Sequence, residues 1–123
     1  MAIRRAGDRN AFWDNAAVVA AGTSTAVEIP RGAANLAIYA TVSAATIITV
    51  QVGHQGDLTS EGLAPDATPA TWFDLYYTDA RMEMNFTAAG SRALIIPDIV
   101  PGWIRLHSSA AATITAGWEA GGD

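Results

Sequence analysis

The chain has no cysteine, no lysine, two histidines and no long apolar run. Without cysteine there are no disulfides, no thiolate nucleophile and no cysteine-based metal site, and the redox compartment is left undetermined. Without lysine, all seven basic residues are arginine. Arginine suits bidentate, partly buried contacts better than lysine does, although the codon bias of a GC-rich genome accounts for the choice equally well. The formal charge of −5 argues against a nucleic-acid binder, whose footprint is a basic patch. The apolar runs fall well short of the about 20 residues a membrane helix needs, so no membrane association is expected. The basic opening MAIRRAGDRNAFW is not followed by an apolar segment, so it does not read as a secretory signal. The expectation is a protein that stays where it is made or is packaged into something.

Half of the 123 residues are hydrophobic and 15% are charged, a balance that folds instead of remaining disordered. A chain of this length makes one domain that buries about two-thirds of its unfolded surface. No stretch carries an amphipathic helical period. Alternation is found instead, as a half-buried strand requires because successive side chains leave the pleat on opposite sides.

The strongest alternation lies in Gly102–Glu119. Ile104 and Leu106 point one way, and Trp103, Arg105 and His107 the other. After Ser108-Ser109-Ala110, the residues Ala112, Ile114, Ala116 and Trp118 share a face opposite Thr113, Thr115, Gly117 and Glu119. Asn35–Gly53 repeats the pattern: Leu36, Ile38, Ala40 and Val42, a Ser43-Ala44-Ala45 bend, then Ile48, Val50 and Val52. Both segments read as β-hairpins. The bend text is echoed, Ser43-Ala44-Ala45-Thr46-Ile47 against Ala110-Ala111-Ala112-Thr113-Ile114 after Ser109, which two turns of shared chemistry explain better than a duplication.

Further strands are expected at Thr25–Ile29, closed by Pro30, at Trp72–Tyr77, at Met82–Thr87 and at Arg92–Ile96, closed by Pro97; proline cannot donate to a ladder. Gly53–Ala70 reads as a long irregular loop carrying Asp57, Glu61 and Asp66. Residues 1–15 show neither period and read as an extended arm, with Arg4, Arg5 and Arg9 in it and Phe12 and Trp13 tucked against the body; a frayed terminus is the alternative. The resulting prediction is an all-β, antiparallel two-sheet sandwich, jelly-roll-like, with eight or nine short strands over residues 16–120 and an N-terminal arm over 1–15.

Chemistry is sparse. The two histidines, His54 and His107, have no metal-ligand spacing, and no nucleophile sits in a Gly-x-Ser-x-Gly elbow. The acids are scattered through loops with no fixed pair for glycoside hydrolysis, and the loop acids lack the EF-hand spacing. No glycine-rich phosphate loop follows a strand and opens a helix. Asn85-Phe86-Thr87 matches a glycosylation acceptor but falls inside a strand. No catalytic residue, metal or cofactor is therefore expected. Of the four tryptophans, Trp72 and Trp118 read as core or rim, and Trp103 as the one presented to a partner.

Gly102-Trp103-Ile104-Arg105-Leu106-His107-Ser108-Ser109-Ala110-Ala111 resembles the closing hairpin of small β-sandwich structural proteins of tailed bacteriophages. Val42-Ser43-Ala44-Ala45-Thr46-Ile47-Ile48-Thr49-Val50-Gln51, then Gly56-Asp57 and Trp72-Phe73-Asp74, looks like the core of the same group, so the likeness covers Thr25–Glu119. It implies a non-enzymatic virion protein, made in the host cytoplasm, that decorates or cements the capsid surface. It also implies a homo-oligomer, expected to be a trimer, bound to the major capsid protein. Related sandwiches are carbohydrate-binding modules of tails or enzyme complexes, which is the alternative. Those modules often show Asp-Gly before a tryptophan, where this chain has Gly56-Asp57 and an insertion before Trp72, so no ligand site carries over. The candidate partner contacts are Arg4, Arg5, Arg9, Trp13, Trp103, Arg105 and His107.

Overall fold

Ala33-Ala-Asn-Leu-Ala-Ile-Tyr-Ala-Thr-Val42 alternates small or apolar residues with outward-facing ones, and its β-branched and aromatic content favours a pleated surface. In the computed structural model it forms a ten-residue strand with Leu36, Ile38, Ala40 and Val42 all buried. The structure describes residues 10–29, 32–53, 58–59, 62–63, 69, 71–98 and 102–122, and every regular element among them is a β-strand. In chain order these are β1 (Ala11–Val18), β2 (Gly22–Thr23), β3 (Val27–Glu28), β4 (Ala33–Val42), β5 (Thr46–Gly53), β6 (Leu58–Thr59) and β7 (Gly62–Leu63). They continue as β8 (Phe73–Asp74), β9 (Tyr76–Tyr77), β10 (Ala80–Arg81), β11 (Glu83–Phe86), β12 (Gly90–Ile96), β13 (Trp103–Ser108) and β14 (Ala112–Gly122).

Sheet I has the order β1-β14-β4-β12, and sheet II the order β11-β5-β13-β2, with β8 also on β5 and β3 also on β13; all pairings are antiparallel. The inward rows of both sheets feed one hydrophobic cluster, an arrangement compatible with a sandwich. Sheet I supplies Ile114 opposite Val42, Ala116 opposite Ala40, Trp118 opposite Ile38 and Ala120 opposite Leu36. Sheet II supplies Ile48, Val50, Ile104, Leu106, Met84 and Phe86. Each fully buried Leu, Ile, Val or Phe contributes roughly 1.5–3 kcal/mol.

Neither expected hairpin forms. β4 lies in sheet I and β5 in sheet II; likewise β13 lies in sheet II and β14 in sheet I. Residues 43–45 and 109–111 are therefore arches that carry the chain from one sheet to the other. Alternation fixes the face a side chain takes, not the strand that lies beside it, so an arch and a hairpin look alike in sequence.

The two arches bond to each other. Ser43 N–H donates to the Thr113 carbonyl at 3.0 Å, and Thr113 N–H donates to Ser43 Oγ at 2.8 Å. Ser109 N–H donates to the Ile47 carbonyl at 3.0 Å, and Ile47 N–H donates to Ser109 Oγ at 2.9 Å. Between them the buried hydroxyls of Thr46 and Ser108 lie 2.7 Å apart. Ser108 Oγ donates to the Ala110 carbonyl at 2.8 Å, and Ala110 N–H donates to Thr46 Oγ1 at 3.1 Å. The sequence echo thus has a spatial cause: the similar bends are partners, each serine satisfying backbone groups of the other.

The N-terminal boundary also shifts. Strand β1 begins at Ala11, so residues 11–15 belong to sheet I and not to an arm. Its register with β14 slips between Ala11 and Trp13 and again between Trp13 and Ala16, and Asn15 has φ 50°. Each bulge adds an unpaired residue, which is how the neighbours Phe12 and Trp13 both come to be buried and why no alternation is readable there. Within the expected irregular loop, β6 pairs with β7; His54, Asp57, Glu61 and Asp66 lie outside the described residues. The expected strand over Trp72–Tyr77 is broken into β8 and β9. The two-residue turn from β9 to β10 holds Thr78 and Asp79 at φ 49° and 65°, as a type I′ hairpin requires.

Candidate binding face

Residues directly opposite in an antiparallel pair share a face. The registers of sheet II therefore place Asp74, Gln51 and Arg105 in one outward row. Glu83, Thr49, His107 and Thr23 form the next. Trp103 lies opposite Gly53 and Glu28. Gly53 is needed there because a Cβ would come within 2.5 Å of the Pro69 ring packed over it.

The polar side chains in this face are chained together. Arg105 Nε donates to Gln51 Oε1 at 2.8 Å, and Gln51 Nε2 donates to Asp74 Oδ1 at 3.1 Å. Arg81 lies 3.6 Å from Asp74 and donates through Nε to Glu83 Oε1 at 2.7 Å. On the other side, the Arg105 guanidinium stacks 4.5 Å from the centre of the Trp72 ring. The hydrogen bond to Glu83, followed by its charge, pushes the Arg81 guanidinium above its ordinary value. Burial alone pulls Arg105 below its own. Among the described residues no carboxylate pairs with Arg105: Gln51 stands between it and Asp74. Trp103 Nε1 is buried without a hydrogen-bond partner among them.

Of the sequence-expected contacts, Trp103, Arg105 and His107 do share this half-buried outward face. Trp13 does not belong with them. Its side chain is 7% exposed and part of the hydrophobic core, because the bulge beside it turns it inward. Arg4, Arg5 and Arg9 lie outside the described residues. Gln51, Trp72, Asp74, Arg81 and Glu83 were missed. Alternation already placed Trp72 and Asp74 on one face, but only the pairing of β8 and β13 with opposite edges of β5 brings them to Arg105. The surface extends to Tyr76, paired with Arg81 and 58% accessible; Phe73, opposite Val52, lies on the other side of the sheet.

Chemically, the face offers indole surface, a guanidinium held by stacking, an amide and two carboxylates already engaged by Arg81. These groups suit stacking and hydrogen bonding. Among the described residues no cluster of His, Cys, Asp or Glu able to hold a metal occurs, and no helix among them is long and apolar enough to cross a membrane. Comparison with protein-family models, with curated proteins and with solved structures finds no match to this chain.

Proposed function

We propose that the chain is a non-enzymatic virion structural protein that decorates or cements a phage capsid through self-association and lattice contacts, and that its sandwich is a jelly roll. The strand order carries the reading. Taking β2 and β3 as one broken strand, the chain alternates between sheets at every step except β5 to β11 and returns the orders β1-β14-β4-β12 and β11-β5-β13-β2. Two interleaved Greek keys of eight strands have this order, and such double-sheet rolls serve viral capsid and lectin domains. The aromatic and arginine content of the sheet II face matches the composition of protein interfaces.

The reading is tested on the purified chain and on particles. Sedimentation is expected to give a defined oligomer, a trimer, that binds the major capsid protein, and purified virions should contain the chain in lattice-like copy number. A strict monomer at high concentration, absent from particles, would refute it. Removing residues 1–9 leaves β1 intact, together with the 2.9 Å bond from Trp118 N–H to the Asn10 carbonyl. It should weaken capsid attachment without unfolding; unchanged attachment rules out the arginine arm as a contact.

The stack of Arg105 on Trp72, flanked by Trp103, Gln51 and Asp74, favours a second reading, a carbohydrate-binding module of a tail or enzyme complex. That reading expects glycan titration to quench or shift tryptophan fluorescence, and Trp72→Ala or Trp103→Ala to abolish the response. A flat titration across neutral and acidic glycans dismisses it.

A further inference from the structure

Tyr39 projects from the outward face of sheet I and is 46% accessible. Its neighbours in register are both small, Ala93 on β12 and Gly117 on β14. A side chain is not readily accepted at Gly117, where a Cβ would come within 3.0 Å of the Asn10 carbonyl. Two residues along the strands, about 7 Å away, the next row on this face is Ser91, Thr41 and Thr115. A shallow groove of about 420 Å³ crosses β12, β4 and β14 between these two rows, within the size range of small-ligand sites.

The two walls differ in chemistry. One is the Tyr39 ring. The charge of Glu119 is the main cause that holds the Tyr39 hydroxyl above its ordinary pKa, and Glu119 lies beyond Gly117 on the side away from Thr115. The ring therefore leans away from the Thr41 row, which opens the groove. The other wall is hydroxyls. Thr41 Oγ1 and Ser91 Oγ lie 2.8 Å apart, and Thr115 Oγ1 accepts from the Asn15 N–H at 3.0 Å. Each hydroxyl has one donor and two acceptor positions, so the row keeps both kinds in reserve. Arg92, also at the groove, directs Nη1 to the Asn85 carbonyl at 2.7 Å.

We propose that this groove binds a neutral saccharide, one pyranose lying with its C–H face on Tyr39 and its hydroxyl edge on Ser91, Thr41 and Thr115. The walls ask for a molecule that is apolar on a face and rich in hydroxyls along an edge. The C–H groups of a pyranose face meet the negative face of an aromatic ring, and its hydroxyls donate and accept as the opposite row does. An extended peptide finds no ladder to join, because β4 and β14 are each bonded on both sides. The Glu119 carboxylate beside Tyr39 disfavours an acidic sugar. The inference extends the carbohydrate reading, on which it rests for the chain's role, to a surface that shares none of its residues: Trp103 belongs to sheet II, where Arg105 holds Trp72.

Isothermal titration calorimetry of the full chain with cellohexaose, maltohexaose and mannohexaose, and with hexagalacturonate as the acidic counterpart, tests it. At least one neutral hexaose should bind, and hexagalacturonate should not. Tyr39→Ala should weaken that binding at least about tenfold, and Tyr39→Phe, which keeps the ring, should retain it. Ala93→Phe sets a second ring beside Tyr39 in the groove and should abolish binding, whereas Trp72→Ala should leave it unchanged. Tyr39 and Ala93 are both exposed, so melting temperatures should hold. Binding that survives Tyr39→Ala and Ala93→Phe but is lost in Trp72→Ala overturns this site and leaves the carbohydrate reading on sheet II. Binding of hexagalacturonate alone overturns the neutral site, and no heat with any of the four overturns both.

Discussion

Leu106→Ala is expected to cost about 3–5 kcal/mol, a large loss for the truncation of one side chain. Leu106 is fully buried, and its strand lies between β5 on one side and β2 and β3 on the other. Its backbone is fixed from both sides, opposite Val50 in β5 and through the 2.8 Å bond from its N–H to Ser24 Oγ. A strand held this way cannot slide to fill the void, so the loss should include the cavity as well as the transfer of the missing carbons. Against a typical total of about 5–15 kcal/mol, this removes a large share of the stability and lowers the melting temperature by roughly 10–20 °C. Urea denaturation monitored by tryptophan fluorescence measures it. A loss below about 1 kcal/mol would mean that this part of sheet II is not a closed interior.

Thr46→Val and Ser108→Ala are each expected to cost about 1–2 kcal/mol, and the double variant less than their sum. Both hydroxyls are buried. Removing the Thr46 hydroxyl takes away the acceptor of the Ala110 N–H, and removing that of Ser108 leaves Thr46 without its 2.7 Å partner. Ser108→Ala alone leaves the Thr46 hydroxyl without that partner, a cost the double variant does not incur, while the Ala110 N–H loses its acceptor once, whether Thr46 is changed singly or with Ser108. The cycle reads the coupling across 62 residues of sequence. Additive losses would show that the two arches are held independently, contrary to the reciprocal bonding between them.

The sequence marked faces well and neighbours poorly. Leu36, Ile38, Ala40, Val42, Ile104, Leu106, Ile114 and Trp118 were all legible as inward residues and are buried, because alternation is a local property. That β4 pairs with β14 and β12, and not with β5, was not legible, because an arch and a hairpin differ in where the next strand lands and not in their alternation. Strand β1 was hidden for another reason: bulges break the alternation that would have announced it. The candidate face was half legible. Trp103, Arg105 and His107 share one strand and could be read together. Gln51, Asp74 and Trp72 reach Arg105 only through partners on other strands.

The interlocked arches have a consequence for how the molecule is made. Neither large sheet contains a pair of strands joined by a tight turn; the β6–β7 and β9–β10 ribbons stand outside both. Folding must therefore proceed through contacts between distant parts of the chain, which places it among slow folders, on a scale of milliseconds to seconds. Strand β14 lies between β1 and β4 in sheet I, so two strands made early have no common neighbour until one made late arrives. During synthesis the first half of the domain waits on the ribosome with its apolar faces uncovered.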